Sequence, residues 1–166
     1  MSGIPGLQGI DHVALTVPDL DEATRFYCDV IGGTLLYELG PFDARQMPPS
    51  DDGLDWTEAH LDVADALLSF RVVQLGSVVL ELFSYQRPAE LSAAGLGDAA
   101  PGHGHIGFAV DDIAAATAYL LDQGVRVLSG PIDVPPEAPS GAMLNRYFAD
   151  PWGNQLELTQ RPGHAH

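Results

Sequence analysis

Residues 11–30, DHVALTVPDLDEATRFYCDV, lie on residues 104–123, GHIGFAVDDIAAATAYLLDQ, without a gap, and identities fall at His12/His105, Val17/Val110, Asp19/Asp112, Ala23/Ala116, Thr24/Thr117 and Asp29/Asp122. A pattern repeated over this length forces both copies to bury the same faces. Each copy reads as a strand, an Asp placed to cap a helix, and a helix with apolar positions three and four apart that stops near Gly32 or Gly124. Further strands follow at 34–39, 66–75 and 77–85 in the first copy, where Gly76 and Ser77 supply a tight turn, and at 125–129, 143–149 and 154–159 in the second, where DPWGN is the last turn. Both halves therefore read βαβββ.

The final strand of each half carries a carboxylate where an apolar strand has no evident use for one. In SVVLELFSY, Leu80 and Leu82 flank Glu81; in NQLELTQ, Leu156 and Leu158 flank Glu157. Period-2 alternation sends the leucines to one face and the glutamates to the other. The first strands obey the same rule. Val13, Leu15 and Val17 face the helix while His12 shares its side with Ala14 and Thr16; Ile106, Phe108 and Val110 face the helix while His105 shares its side with Gly107 and Ala109. Taken alone, a strand His or Glu is most often a solvated side chain. Independent accidents would not set His on the first strand and Glu on the last strand of both copies, each time away from the leucines.

If each half curls with its helix outside, the four side chains project from concave faces lined by small residues. Imidazole nitrogens and carboxylate oxygens suit a divalent metal ion such as Ni, Co, Zn, Mn or Fe, with open octahedral positions left for water or substrate. A cation would also balance carboxylates that are costly to bury. The expected fold is α+β, two repeated βαβββ modules forming a curled mixed sheet around a metal-binding cleft. The whole chain, 1–166, is expected to be one domain, with module one at 9–85, a linker at 86–103, module two at 104–160 and a tail at 161–166.

The spacing from His12 to Glu81 exceeds that from His105 to Glu157 by 17 residues. The surplus fits PFDARQMPPSDDGLDWTEAHLD, residues 41–62, which is rich in Pro, Asp and Gly and reads as mostly loop. Residues 129–142 read as a second long loop. Segments of this length are either lids or surface loops.

Seven Lys and Arg against 23 Asp and Glu, a formal charge of −16, leave few cations to displace counterions from a phosphate backbone, so nucleic acid is not an expected partner. No apolar run reaches the ~18 residues of a membrane span, and the start lacks the basic and apolar stretches of a signal peptide, so a cytoplasmic location and no membrane partner are expected. Cys28, the only cysteine, excludes an internal disulfide and reads as a small core residue.

Through GIDHVALTVPDLDEATRFYCDVIG, VVLELFSY, GHIGFAVDDI and RYFADPWGNQLELTQ, nearly the whole chain resembles the vicinal oxygen chelate superfamily, also called the glyoxalase/bleomycin resistance/dioxygenase group. The resemblance implies that His12, Glu81, His105 and Glu157 are the metal ligands. A complete His, Glu, His, Glu set is similar to bacterial glyoxalase I, whereas methylmalonyl-CoA epimerase has Gln at the position of Glu81. Glutathione contacts are not matched, because Thr16 and Tyr85 stand where that glyoxalase carries Arg and Asn. Glu58 is the nearest counterpart of the epimerase's second glutamate base. Related proteins also imply a homodimer.

The chemistry this implies is that of a metal-dependent glyoxalase-like isomerase, lyase or epimerase acting on a small-molecule substrate with vicinal oxygens. Proton transfer would run through an enediolate stabilised by the cation, with Glu157 or Glu81 as both ligand and catalytic base. Arg146 and Tyr147 would border the cleft, and Trp56, Phe83 and Tyr85 would line it or serve packing alone. One rival is an extradiol-type iron dioxygenase using His12, His105 and Glu157 as a facial triad. Another is a small-molecule (drug) binding or resistance protein.

Overall fold

Strand β1 (His12–Thr16) feeds a helix whose start is fixed by Asp19, as its carboxylate accepts the Glu22 amide at 2.9 Å. Helix α1 (Leu20–Thr24) widens into a π-type turn over Arg25–Val30 and stops before Gly32, which adopts φ +92°. The second copy repeats this. After β5 (His105–Ala109), Asp112 accepts the Ala115 amide at 2.9 Å, α3 spans Ile113–Asp122, and Gly124 turns the chain with φ +74°. A left-handed backbone favours glycine at both stops because no Cβ opposes it.

The computed structural model describes residues 10–51, 53–88, 104–128, 130–138 and 141–162. The chain divides into two units, Met1–Ser92 and Ala93–His166, so the division falls inside the expected linker 86–103, most of which lies outside the described residues, as does the tail beyond 162.

In the first unit, β2 (Thr34–Asp43), β3 (Leu67–Leu75) and β4 (Val78–Arg87) join β1 in a four-stranded sheet of order β1-β4-β3-β2, with β1 parallel to β4 and the other pairs antiparallel. Its helix-side face carries Leu80, Leu82 and Val73, all buried against α1 and Tyr27. Burial of each such side chain contributes about 1.5–3 kcal/mol. Arg71, on that same face, donates to the Leu20 carbonyl and the Thr24 hydroxyl at 2.8 Å each and pairs with Asp21 and Glu38, so it ties the helix to the sheet.

In the second unit, β6 (Arg126–Val127), β7 (Ile132–Val134), β8 (Met143–Ala149) and β9 (Gln155–Gln160) join β5 in a five-stranded sheet of order β5-β9-β8-β6, with β7 pairing the far end of β8. Leu156, Leu158 and Phe148 are buried on the face toward α3. Gln160 also accepts the Ile113 amide at 2.8 Å, which pins the end of β9 to the start of α3.

The architecture is thus α+β with two mixed sheets, one to each half of the repeat. Two segments expected as loops hold structure. The stretch 129–142 contains β7, which adds a strand to the second βαβββ pattern, and the expected strand 125–129 shrinks to two residues. The stretch 41–62 contains the end of β2, a turn of 3₁₀ helix at Ala44–Gln46 and helix α2 (Trp56–Leu61). Asp55 makes α2 possible: its carboxylate accepts the Thr57 amide, the Thr57 hydroxyl, the Glu58 amide and, from beyond the helix, the Asp65 amide at 2.7 Å. Among the described residues no helix is long and apolar enough to cross a membrane.

Candidate active site

Parallel pairing of β1 with β4 sets Ala14 beside Glu81 and His12 beside Val79. Paired residues share a face, so His12 and Glu81 lie diagonally on the face away from α1. Their side chains approach to 3.7 Å, Nε2 to Oε2. The second unit builds the same diagonal from Gly107 beside Glu157 and His105 beside Gln155, with Nε2 and Oε2 3.4 Å apart. Each unit therefore brings together its own His and Glu from the sequence-derived set. Among the described residues no group of three or more His, Cys, Asp or Glu side chains forms a cage for a metal ion, so the pair is the element each unit displays.

The His105–Glu157 pair, at 3.4 Å, falls at the upper edge of the spacing of two ligands, and the His12–Glu81 pair, at 3.7 Å, lies wider than it. An N–H···O bond lies near 2.9 Å, whereas two atoms each about 2.1 Å from one cation, at angles between octahedral and tetrahedral, stand roughly 3.0–3.4 Å apart. The first unit adds a chemical argument. Asp11 accepts from Nδ1 of His12 at 2.9 Å. A carboxylate that only accepts places the ring proton on Nδ1, which leaves a lone pair on Nε2 facing the Glu81 carboxylate. Two acceptors facing each other call for a cation between them. With none but a proton available, the His12 pKa rises, first through the Asp11 hydrogen bond and then through the Glu81 charge. Asp11 also orients the ring, the usual work of a carboxylate behind a ligating histidine.

Burial sharpens the case. The Glu157 side chain is 11% exposed and that of Glu81 21%. Gly107 makes room for the more buried one, since a Cβ built there would stand 3.3 Å from Glu157 Oε2. Behind Glu157, Asp150 accepts the Trp152 and Asn154 amides and the Asn154 side chain in the DPWGN turn, which fixes β9 against β8. The residues of each pair fit a divalent ion in donor chemistry and charge.

Around Glu157 the register adds Tyr147, directly across on β8 and edge-on to His105 at 5.3 Å, and Asn145 beside Thr159. The Asn145 carbonyl oxygen is buried with no hydrogen-bond partner among the described residues. Asn145 was not singled out in the sequence, although its alternation with Tyr147 carries the signal. Arg146 corrects an expectation. It pairs with Leu158 on the helix side of the sheet, so it does not share the face of Tyr147 and Glu157.

Around Glu81 the neighbours are aromatic. Phe83 follows on β4 and stacks on Phe70 of β3 at 4.7 Å, and Tyr85 stands 6.3 Å beyond Phe83. Burial pushes the Tyr85 phenol pKa up, which keeps it a neutral donor. Trp56 reaches this row through Phe42. Glu58 sits in the first turn of α2, and no hydrogen bond or ion pair among the described residues links its carboxylate to His12 or Glu81. Burial pushes the Cys28 thiol up as well, which suits a packing residue and not a nucleophile.

With the geometry in hand, comparison with known proteins decides the family. The model of the Glyoxalase/Bleomycin resistance protein/Dioxygenase superfamily matches residues 9–158. The chain belongs to this superfamily. Within it, 2-epi-5-epi-valiolone epimerase from Actinomyces sp. is 40% identical over 166 residues, covering 98% of this chain and 85% of that protein. The protein YaeR of Escherichia coli strain K12 is 30% identical over 160 residues, covering 94% of this chain and 98% of that one. Among solved structures, a glyoxalase family protein from Bacillus cereus superposes with TM-score 0.71 at 17% identity, covering 96% of this chain and 98% of that chain. At that identity the likeness speaks for the fold alone. Enzymes of the superfamily commonly use divalent metals, in keeping with the His–Glu pairs.

Proposed function

We propose that this chain is a metal-dependent epimerase that inverts a carbon next to the carbonyl of a small polyhydroxylated ketone. The supporting observation is the matched pair of His–Glu diagonals, each with the imidazole Nε2 facing a shielded carboxylate. The epimerase relative directs the choice among reactions of the superfamily. On this reading His12, Glu81, His105 and Glu157 are the residues that would hold a divalent ion. When bound, that ion supplies Lewis-acid stabilisation of negative charge on the substrate's vicinal oxygens.

The side chains do the rest. Glu157 takes the proton from the carbon beside the carbonyl, and the C–H electron pair becomes the double bond of an enediolate. Glu81, protonated at the outset, would deliver its proton to the same carbon, which inverts one stereocentre and leaves Glu157 protonated and Glu81 ionised until proton exchange with water resets both. Neither role requires a redox partner. Asn145, whose buried carbonyl oxygen has no hydrogen-bond partner among the described residues, would accept a hydrogen bond from a substrate hydroxyl.

The test is proton exchange. Protein loaded with Co²⁺ or Ni²⁺ and incubated in D₂O with cyclic and open-chain hydroxy-ketones should place deuterium at the carbon beside the carbonyl, and E157Q should lower that rate at least 100-fold. Loaded protein that binds a ketone yet exchanges no carbon-bound proton would remove the epimerase reading in favour of a binding protein.

A further inference from the structure

The face that carries Glu81 resolves into rows across the sheet. The row of Glu81 holds Ala14 on one side and Val72 on the other; the next holds Thr16, Phe83 and Phe70; the one after holds Tyr85, Leu68 and Phe42. Two residues along a strand advance about 7 Å, so the aromatic surface begins one side-chain step from the carboxylate. It continues without a break. Tyr85, Phe83, Phe70, Phe42, Trp56 and His60 are linked by ring contacts of 6.3, 4.7, 6.2, 6.3 and 5.3 Å, their planes tilted from one another by 16–36°. His60 is exposed and the other five are partly exposed.

The far end of this row comes from the segment that the repeat shows to be extra. Helix α2 lies inside the 17-residue surplus of the first half. Its placement is fastened at several points: by Asp55 to the Thr57, Glu58 and Asp65 amides, by the Thr57 hydroxyl to the Ala66 amide, and by Arg87 to Asp43 and the Asp65 carbonyl. Thr57 is fully buried. A segment held in this way is a fixed extension of the sheet and not a swinging cover. The corresponding row of the second unit has no such surface, since beyond Glu157 it holds Ala109, Thr159 and Asn145.

We propose that the row Phe83, Phe70, Phe42 and Trp56 is a substrate ledge that receives the carbon skeleton of a cyclic polyhydroxyketone and gives this chain its preference for ring over open-chain substrates. The proposal rests on the epimerase reading above and names the substrate class of that site. A polyhydroxylated ring presents C–H groups on its faces and hydroxyls around its rim. The C–H groups meet polarizable aromatic carbon on the ledge, while the rim meets the Tyr85 phenol at its end. A three-carbon open-chain hydroxy-ketone reaches the carboxylate without covering the ledge.

The experiment uses the full, metal-loaded chain with two probes, a cyclic pentahydroxyketone (an inosose) and dihydroxyacetone, and reads turnover on both as deuterium exchange at the carbon beside the carbonyl, because dihydroxyacetone has no stereocentre to invert. F83L and W56L should each raise KM for the ring ketone about tenfold with kcat changed less than threefold, so that the ring-to-open-chain ratio of kcat/KM falls about tenfold. In a W152F background, the remaining Trp56 emission should shift saturably with the ring ketone and not with dihydroxyacetone. Equal effects of W56L and F83L on both probes, or Trp56 emission unmoved by saturating ring ketone, would overturn the ledge. A saturable Trp56 response without deuterium exchange into either ketone would keep the ledge and discard the epimerase reading. Should F83L fail to fold, the W56L kinetics and the Trp56 emission decide the matter.

Discussion

At the scale of single residues, the alternation in NQLELTQ separates two kinds of stabilisation. Leu156 is fully buried in the core, so Leu156→Ala should cost about 3 kcal/mol in urea unfolding. Glu157, on the other face, is shielded from water, with the His105 Nε2 3.4 Å from its carboxylate. In metal-free protein, E157Q should therefore leave the unfolding free energy within about 1 kcal/mol or raise it, since a buried charge is removed. Gly107 is the sharper probe. A Cβ 3.3 Å from Glu157 Oε2 must push the carboxylate aside, so Gly107→Ala should weaken Co²⁺ binding about tenfold in calorimetric titration while the urea midpoint hardly moves. The His and Glu positions were legible in the sequence because the repeat supplied two independent copies. Asp11 and Asn145 were not, since each occurs in one copy alone: Gly104 stands opposite Asp11 in the repeat. Arg146 and Tyr147 were expected on one cleft, which the two-residue period of a strand forbids for neighbours.

At the scale of elements, helix boundaries followed from residues with a mechanism, namely the caps at Asp19 and Asp112 and the left-handed glycines 32 and 124. Helix α2 and strand β7 escaped because six and three residues are too short to show a period, and the Pro, Asp and Gly around α2 outweighed its single good signal, Asp55. That residue makes the segment sensitive to acid. Hydrogen bonding, led by the Asp65 amide, lowers the Asp55 pKa from its ordinary 3.8 to about 2. A carboxyl whose folded pKa is depressed stabilises fully above its unfolded value and loses that contribution as pH falls through the folded one. The 41–66 segment should hold at pH 5 and loosen between about pH 4 and about 2. Trp56 emission in a W152F background reports it, and D55N should show the loosened signal already at pH 5.

At the scale of the whole molecule, the duplication builds the same diagonal of His and Glu twice, once in each unit. The halves have since diverged around that shared pattern, aromatic beside Glu81 and polar beside Glu157. The strong acidic excess leaves the molecule few cations, and Arg71 and Arg87 are already engaged in holding α1 and the 41–66 segment. On the proposed reading, a divalent ion from solution would balance charge at Glu81 and Glu157. The most direct measurement is metal stoichiometry by equilibrium dialysis against Co²⁺, on the native chain and on H12A and H105A. One ion per chain, with affinity reduced at least 100-fold in both variants, is the predicted result. Two ions per chain, or a variant that keeps native affinity, would show that the two pairs do not share one centre.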